Sequence, residues 1–135
     1  MTKKRMRLAV AAGIAVLTMA ASSVSALAVT EHNYNFGFPS YTQPGYSVDS
    51  NTRYKADGGR PYVTPSTIPY KTLFWLTADL ESHGKATTAV GISSATKTYM
   101  SYTGSHGAGK YYALAGQSAG STTHPAYGTS GKFAL

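Results

Sequence analysis

The chain has 135 residues, no cysteine and a formal charge of +7 at pH 7. Without cysteine it has neither a disulfide framework nor the lipid-accepting residue of a bacterial lipoprotein. Four of the twelve basic residues lie within the first seven positions, and the other eight are spread singly along the chain. Nucleic-acid-binding proteins group their basic residues on one face or in one run, so we expect no nucleic-acid partner.

The N-terminus has the order of a secretory signal peptide. A basic head (Lys3, Lys4, Arg5, Arg7) precedes an uncharged stretch at 8–21 and two small-residue sites, Val24-Ser25-Ala26 and Ala26-Leu27-Ala28. This order predicts a signal peptide at 1–28, cleaved after Ala26 or Ala28. An uncleaved membrane anchor is the alternative, since residues 8–30 carry no charge, but serines dilute the second half of that stretch.

The remaining residues, 29–135, are predicted to form a single secreted β domain with a net charge of +3. All sixteen aromatic residues lie there, eleven of them Tyr, against eleven Leu, Ile and Val together. Aromatic residues and Thr favour pleated sheets over helices, and a disordered chain would lack aromatics. We therefore expect an all-β fold, a small antiparallel sandwich or barrel of about seven short strands.

The first half of this domain alternates strand patterns with turn residues. Residues 34–38 place three aromatics on one face of a strand, and Gln43-Pro44-Gly45-Tyr46 predicts a type II turn. Asp57-Gly58-Gly59 predicts a hairpin between strands at 52–56 and 60–64. Pro61 has no backbone N–H, which assigns the second arm to a sheet edge.

The second half begins with the most hydrophobic segment, 71–80, which we interpret as a central strand. A return strand is expected at 85–92, and residues 86–98 suit a short helix or an irregular crossing. Strands at 97–103 and 110–115 are expected to flank a flexible hairpin tip at 104–109. A loop at 117–130 and a docked final strand at 131–135 complete the pattern.

Catalytic and metal motifs are sparse. Gly116-Gln117-Ser118-Ala119-Gly120 matches the G-x-S-x-G nucleophile elbow, with His124 near in sequence and Asp79 able to approach, but no helix follows it. The four histidines have no metal-ligand spacing, and Asp79 with Glu81 fits a charged strand end as well as a cation site. We predict no catalytic residue, no metal and no cofactor.

Tyrosine enrichment is typical of binding surfaces, because the ring is broad and the hydroxyl polar. Several side chains should be partly exposed: Tyr41, Tyr46, Tyr54, Tyr62, Tyr102 and Tyr112. The candidate binding residues are Tyr102, Tyr112, Trp75 and His106. Trp75 lies inside an apolar run, where a core role competes with stacking on a sugar.

The chain resembles a family of small secreted proteins of Gram-positive bacteria that has no assigned function. The matching segments span most of residues 33–135: Tyr34-Asn35-Phe36-Gly37-Phe38, Thr52-Arg53-Tyr54, Phe74-Trp75-Leu76, Tyr111-Tyr112-Ala113-Leu114 and Gly131-Lys132-Phe133. The resemblance implies a secreted, sandwich-like β domain and transfers no catalytic residue. More distantly the chain is similar to lactococcin-type bacteriocins, from which it departs by having no Trp in its C-terminal part.

These observations predict a secreted, non-enzymatic β domain that binds at or outside the cell envelope, its partner an envelope polymer or a surface protein. A bacteriocin-like antimicrobial protein is the alternative, and a small serine hydrolase using Ser118 is a third hypothesis. After cleavage no stable membrane span is expected, and the sequence leaves the oligomeric state open.

Overall fold

The computed structural model describes residues 29–40, 46–119 and 124–135. The signal peptide at 1–28, the Pro44-Gly45 turn and Tyr41 lie outside these residues. The described strands are β1 (His32–Phe38), β2 (Ser47–Asp49), β3 (Tyr54–Lys55), β4 (Tyr62–Thr67), β5 (Thr72–Thr77), β6 (Val90–Ile92), β7 (Thr98–Tyr99), β8 (Tyr111–Ser118) and β9 (Tyr127–Ala134).

The strands form two antiparallel sheets, which confirms the all-β prediction. One sheet has the order β1-β9-β4-β7, and the other has the order β2-β8-β5-β6, with β3 also paired to β8. Side chains from both sheets share one core, so the fold is a sandwich. The described residues contain nine strands where about seven are predicted, and the strand without a predicted counterpart is β2, a three-residue segment. No described residue lies in a helix, and so none belongs to an apolar helix long enough to cross a membrane.

Strand β1 has the alternation that its sequence predicts. Tyr34, Phe36 and Phe38 are at most 4 % exposed, while the residues between them face solvent. The Phe36 ring packs on the opposite sheet at Gly116, where an added Cβ would lie 2.9 Å from the ring. The aromatic face of β1 therefore packs against β8, where the absence of a side chain at Gly116 makes space for the Phe36 ring.

Strand β5 is central, as predicted, with β8 on one side and β6 on the other. Phe74 and Leu76 are fully buried from one face, and Trp75 on the other face is 2 % exposed. This burial agrees with the core interpretation of Trp75. It leaves the ring no face on which a ligand sugar could stack, so we remove Trp75 from the candidate binding residues.

The hairpin predicted around Asp57-Gly58-Gly59 is wrong. The turn itself forms, since Asp57 Oδ1 accepts the Gly59 N–H and Gly58 has a φ of +99°. However, β3 pairs with β8 in one sheet, and β4 pairs with β9 and β7 in the other. The turn thus carries the chain between sheets. The edge position expected from Pro61 is also wrong, because Pro61 directly precedes β4, which lies between two strands.

The predicted hairpin tip at 104–109 is wrong for the same reason, because β7 and β8 belong to different sheets. The predicted loop at 117–130 is shorter than expected, since β8 extends to Ser118 and β9 begins at Tyr127. Residues 86–98 contain β6 rather than a helix. The final strand is confirmed, and Leu135 is buried at its end.

Candidate functional site

Three of the four candidate binding residues meet beside the loop at 104–109. The Tyr102 and Tyr112 rings lie 5.5 Å apart, and the His106 ring lies 5.7 Å from that of Tyr112. Tyr112 Oη accepts the Gly107 N–H at 2.7 Å. Tyr112 is fully buried, and burial raises the pKa of Tyr102 to about 12. This cluster anchors a loop to the core, and only Tyr102 and His106 keep partial exposure.

The predicted exposure of the tyrosines is confirmed in part. Tyr46 is 43 % exposed, and Tyr54 and Tyr102 are half-buried. The prediction is wrong for Tyr62 and Tyr112, which are buried. Among the described tyrosines the most exposed is Tyr111, in β8. A count of tyrosines therefore does not show which of their rings are exposed.

A polar cleft of about 350 Å³ opens between β1 of one sheet and β2 of the other. Both are edge strands, so the cleft lies on the open side of the sandwich. Its polar lining consists of Asn35, Ser47, Asp49, Asn51 and His83, and the exposed ring of Tyr46 lies beside them. Amides, a hydroxyl, a carboxylate and an imidazole thus face one space.

The Asp49 carboxylate is held at both oxygens. Oδ1 accepts the Asn51 N–H at 2.6 Å, and Oδ2 lies 2.7 Å from His83 Nε2. The Asp49 side chain is 10 % exposed and the His83 side chain is 21 % exposed. Because the carboxylate accepts, Nε2 carries the proton, and in the neutral ring Nδ1 is then the nitrogen able to accept a hydrogen bond. The pair therefore presents an acceptor of fixed orientation.

The backbone beneath this pair is strained. In the described part of the chain two residues other than Gly have a positive φ, Asn51 at +57° and His83 at +52°. Both line the cleft. Such conformations are costly for residues with a Cβ, and they persist where surrounding contacts impose them. Their coincidence with the Asp49–His83 pair marks this cleft as the candidate functional site.

The core imposes the conformation of His83. Its N–H donates to the Asp79 carbonyl at 3.0 Å, and its carbonyl accepts Trp75 Nε1–H at 2.8 Å. Trp75 therefore acts on the cleft from within the core. Sequence reasoning missed Asp49 and His83 as a pair because 34 residues separate them and no motif joins them.

Asp79 and Glu81 do not share the strand face that the sequence predicts for them. Strand β5 ends at Thr77, so the two acids lie in a turn rather than on a strand face. The Asp79 carboxylate accepts the Glu81 N–H and the Ser82 hydroxyl, and these bonds hold the pKa of Asp79 below its usual value. Among the described residues no three candidate ligands are grouped.

The serine of the G-x-S-x-G segment has a histidine partner. Ser118 Oγ lies 2.8 Å from His124 Nε2, and His124 Nδ1 lies 2.8 Å from the Pro125 carbonyl oxygen. Asp79, the acid considered from sequence, is engaged in its own turn instead. Gly120, the last residue of the segment, lies outside the described residues.

Comparison with known proteins adds no relative: no family model, no curated protein and no solved structure matches this chain.

Proposed function

We propose that the chain is a secreted β-sandwich protein that binds a saccharide of the cell envelope in the cleft between β1 and β2. The observation that carries this proposal is the Asp49–His83 pair, fixed by a strained backbone inside a polar cleft. Preorganised polar groups of this kind lose little entropy when a ligand binds.

The chemistry of the lining favours a polyhydroxylated ligand over other classes. The Asp49 carboxylate discriminates against a phosphate by charge repulsion, and a polar wall discriminates against an apolar ligand. Sugar hydroxyls donate to carboxylates and imidazole and accept from amides, so each group in this cleft has a use. The exposed Tyr46 ring supplies the flat apolar contact that a pyranose face requires.

Delivery to the envelope is proposed from the N-terminal sequence. Residues 1–28 have the charge and hydrophobicity order of a signal peptide, and the resemblance to secreted proteins of Gram-positive bacteria implies the same destination. The binding partner in this proposal is an envelope glycan rather than a surface protein, because the cleft is small, about 350 Å³, and has a polar lining.

Co-sedimentation tests the proposal. The full chain is expressed in a Gram-positive host, which performs any processing. The product is then incubated with purified peptidoglycan, chitin or cellulose. We expect retention on at least one of these glycans. Asp49→Asn should weaken retention about tenfold, or about 1.4 kcal/mol, through loss of a charge-assisted contact. Asp57→Asn is the matched control. Asp57 Oδ1 accepts the N–H of Gly59, two residues later, as Asp49 Oδ1 accepts that of Asn51, but Asp57 lies in the inter-sheet turn.

Each outcome decides one part of the proposal. Absence of retention on all three glycans contradicts saccharide binding. Equal retention of Asp49→Asn and Asp57→Asn contradicts the cleft as the binding site.

A bacteriocin-like activity is a second candidate, favoured by the outer face of the β1-β9-β4-β7 sheet. There Arg60 lies 5.1 Å from the ring of the exposed Tyr99, and Lys97 lies 4.2 Å from that of Tyr62. Such a cationic and aromatic surface suits anionic polymers of competing cells. Growth inhibition by the purified protein, lost in an Arg60→Gln, Lys97→Gln variant, would support it. Inactivity against a broad strain panel would contradict it.

A further inference from the structure

For a neutral His124 ring, the Ser118–His124 contact has one consistent assignment of its protons. A carbonyl oxygen only accepts, so the 2.8 Å contact with Pro125 requires that His124 Nδ1 carry a proton. In the neutral ring Nε2 is then unprotonated, and the Ser118 hydroxyl donates to it. This is the proton arrangement of a serine nucleophile and its general base.

The surroundings keep the pair in this geometry. His124 is 6 % exposed, and its ring lies 5.0 Å from that of Tyr127 and 5.7 Å from that of Tyr70. Tyr127 is held in turn by a hydrogen bond between its hydroxyl and that of Thr72. Ser118 ends a paired strand and is half-buried, so its oxygen combines a fixed position with partial access.

We propose that Ser118 is a reactive serine, with His124 as its general base, that accepts acyl groups from esters. Ser118 Oγ bonds to the ester carbonyl carbon while its proton passes to His124 Nε2. The carbon–oxygen bond to the leaving alcohol then breaks, and His124 returns the proton to that alcohol. Water completes the cycle by attacking the acyl-serine, giving a carboxylic acid and the free hydroxyl.

This activity goes beyond saccharide binding and does not rest on it. Ala115 is paired with Asp49, and Ser118 follows Ala115 by three residues, so Ser118 lies about 10 Å along β8 from the partner of Asp49, while the cleft residue Ser47 is paired with the neighbouring Gln117. The two sites share no residue. The proposal also departs from the non-enzymatic expectation drawn from the sequence.

Covalent labelling tests the proposal. The full chain is treated with a fluorophosphonate probe, and the adduct is located by tandem mass spectrometry. We expect a single adduct at Ser118, absent in Ser118→Ala and retained in Ser130→Ala, a half-buried strand serine outside the pair. His124→Gln should slow labelling about 100-fold or more, with near-ultraviolet circular dichroism showing that the variant is folded.

The contrary results are equally definite. If the wild-type chain carries no adduct, or carries it at another residue, the proposal is wrong; locating the adduct needs no variant to fold. Unchanged labelling of folded His124→Gln would show that His124 does not act as the general base. In the first case the Ser118–His124 hydrogen bond has a structural role, joining the end of β8 to the segment before β9.

Discussion

Trp75 Nε1–H donates to the backbone carbonyl of His83, with 2.8 Å between nitrogen and oxygen. This bond joins a core side chain that is 2 % exposed to a residue that lines the polar cleft. It also satisfies a polar group of the indole that burial would otherwise leave costly. Packing of the core and geometry of the cleft are therefore linked through one hydrogen bond.

Replacing Trp75 by Phe should separate these two roles. Phe keeps most of the buried ring but cannot donate to His83, so we expect a loss of about 1–3 kcal/mol in the free energy of unfolding. Saccharide affinity should fall about tenfold, since the positive φ of His83 is no longer imposed from the core. Urea unfolding and isothermal titration calorimetry measure the two effects.

Trp75→Ala is the informative comparison. Truncation of a buried aromatic costs about 3–5 kcal/mol, a large part of the stability of a small domain, so we expect that variant to be largely unfolded. Full saccharide affinity in folded Trp75→Phe would show that the hydrogen bond does not set the cleft.

The fold class could be predicted from the sequence because its determinants are local. The aromatic alternation of 34–38 predicts a strand with one buried face, and the continuous apolar run of 71–80 predicts a central strand, without reference to anything distant. Sheet membership could not be predicted in this way. The Asp57-Gly58-Gly59 turn has the residues of a hairpin, but β9 pairs with both β1 and β4 and so takes the place that a hairpin partner would occupy.

The candidate site could not be predicted from sequence patterns, because it too depends on contacts between distant segments. Asp49 and His83 meet through the packing of a β2 edge against the turn after β5, and neither belongs to a motif. Ser118 was detectable, since G-x-S-x-G is a spacing pattern. Its partner His124 could be named only as near in sequence, because the hydrogen bond depends on where β8 ends and β9 begins.

Gly131 should be among the least replaceable residues of the chain. A Cβ added there would lie 2.3 Å from the Thr64 carbonyl oxygen and 2.7 Å from Pro65 Cα, both backbone atoms of the paired strand β4. Backbone cannot move aside as a side chain can, so we expect Gly131→Ala to cost about 2–4 kcal/mol in the free energy of unfolding. Urea denaturation followed by Trp75 fluorescence measures this.

Gly37→Ala is the matched control for this substitution. Gly37 lies in the neighbouring strand β1, where an added Cβ would have no heavy atom within 4 Å. Its stability should change by less than about 0.5 kcal/mol. Similar losses in the two variants would contradict the close approach of β9 to β4.

Export should depend on the two small-residue sites before the domain. A Gram-positive host expressing the full chain should release a product that begins at Leu27 or Val29, as determined by N-terminal sequencing. Ala26→Arg combined with Ala28→Arg should leave an uncleaved, cell-associated precursor. Thr30→Arg, just beyond both sites, is the control and should still be processed. An intact N-terminus on wild-type protein in the medium would contradict cleavage.

The acid sensitivity of the fold should depend in part on His32. Its ring stacks on Tyr54, with 3.6 Å between centroids, and burial lowers the pKa of His32 from 6.5. The unfolded chain then binds a proton more readily than the folded chain does. Stability from this residue is therefore present above about pH 6.5 and is lost as the pH falls through the lowered pKa of the folded state.

His32→Phe keeps a ring stacked on Tyr54 and removes the titration. Between about pH 8 and pH 5 we expect the urea midpoint of the wild type to fall further than that of His32→Phe, with the difference opening below about pH 6.5. The pKa of Glu31 is also lowered, chiefly by its hydrogen bond from the Tyr62 hydroxyl, so its contribution is lost at more acidic pH, below its ordinary value of 4.5. The two residues therefore act in separate pH ranges. Parallel midpoint curves for wild type and His32→Phe would show that protonation of His32 does not limit stability in acid.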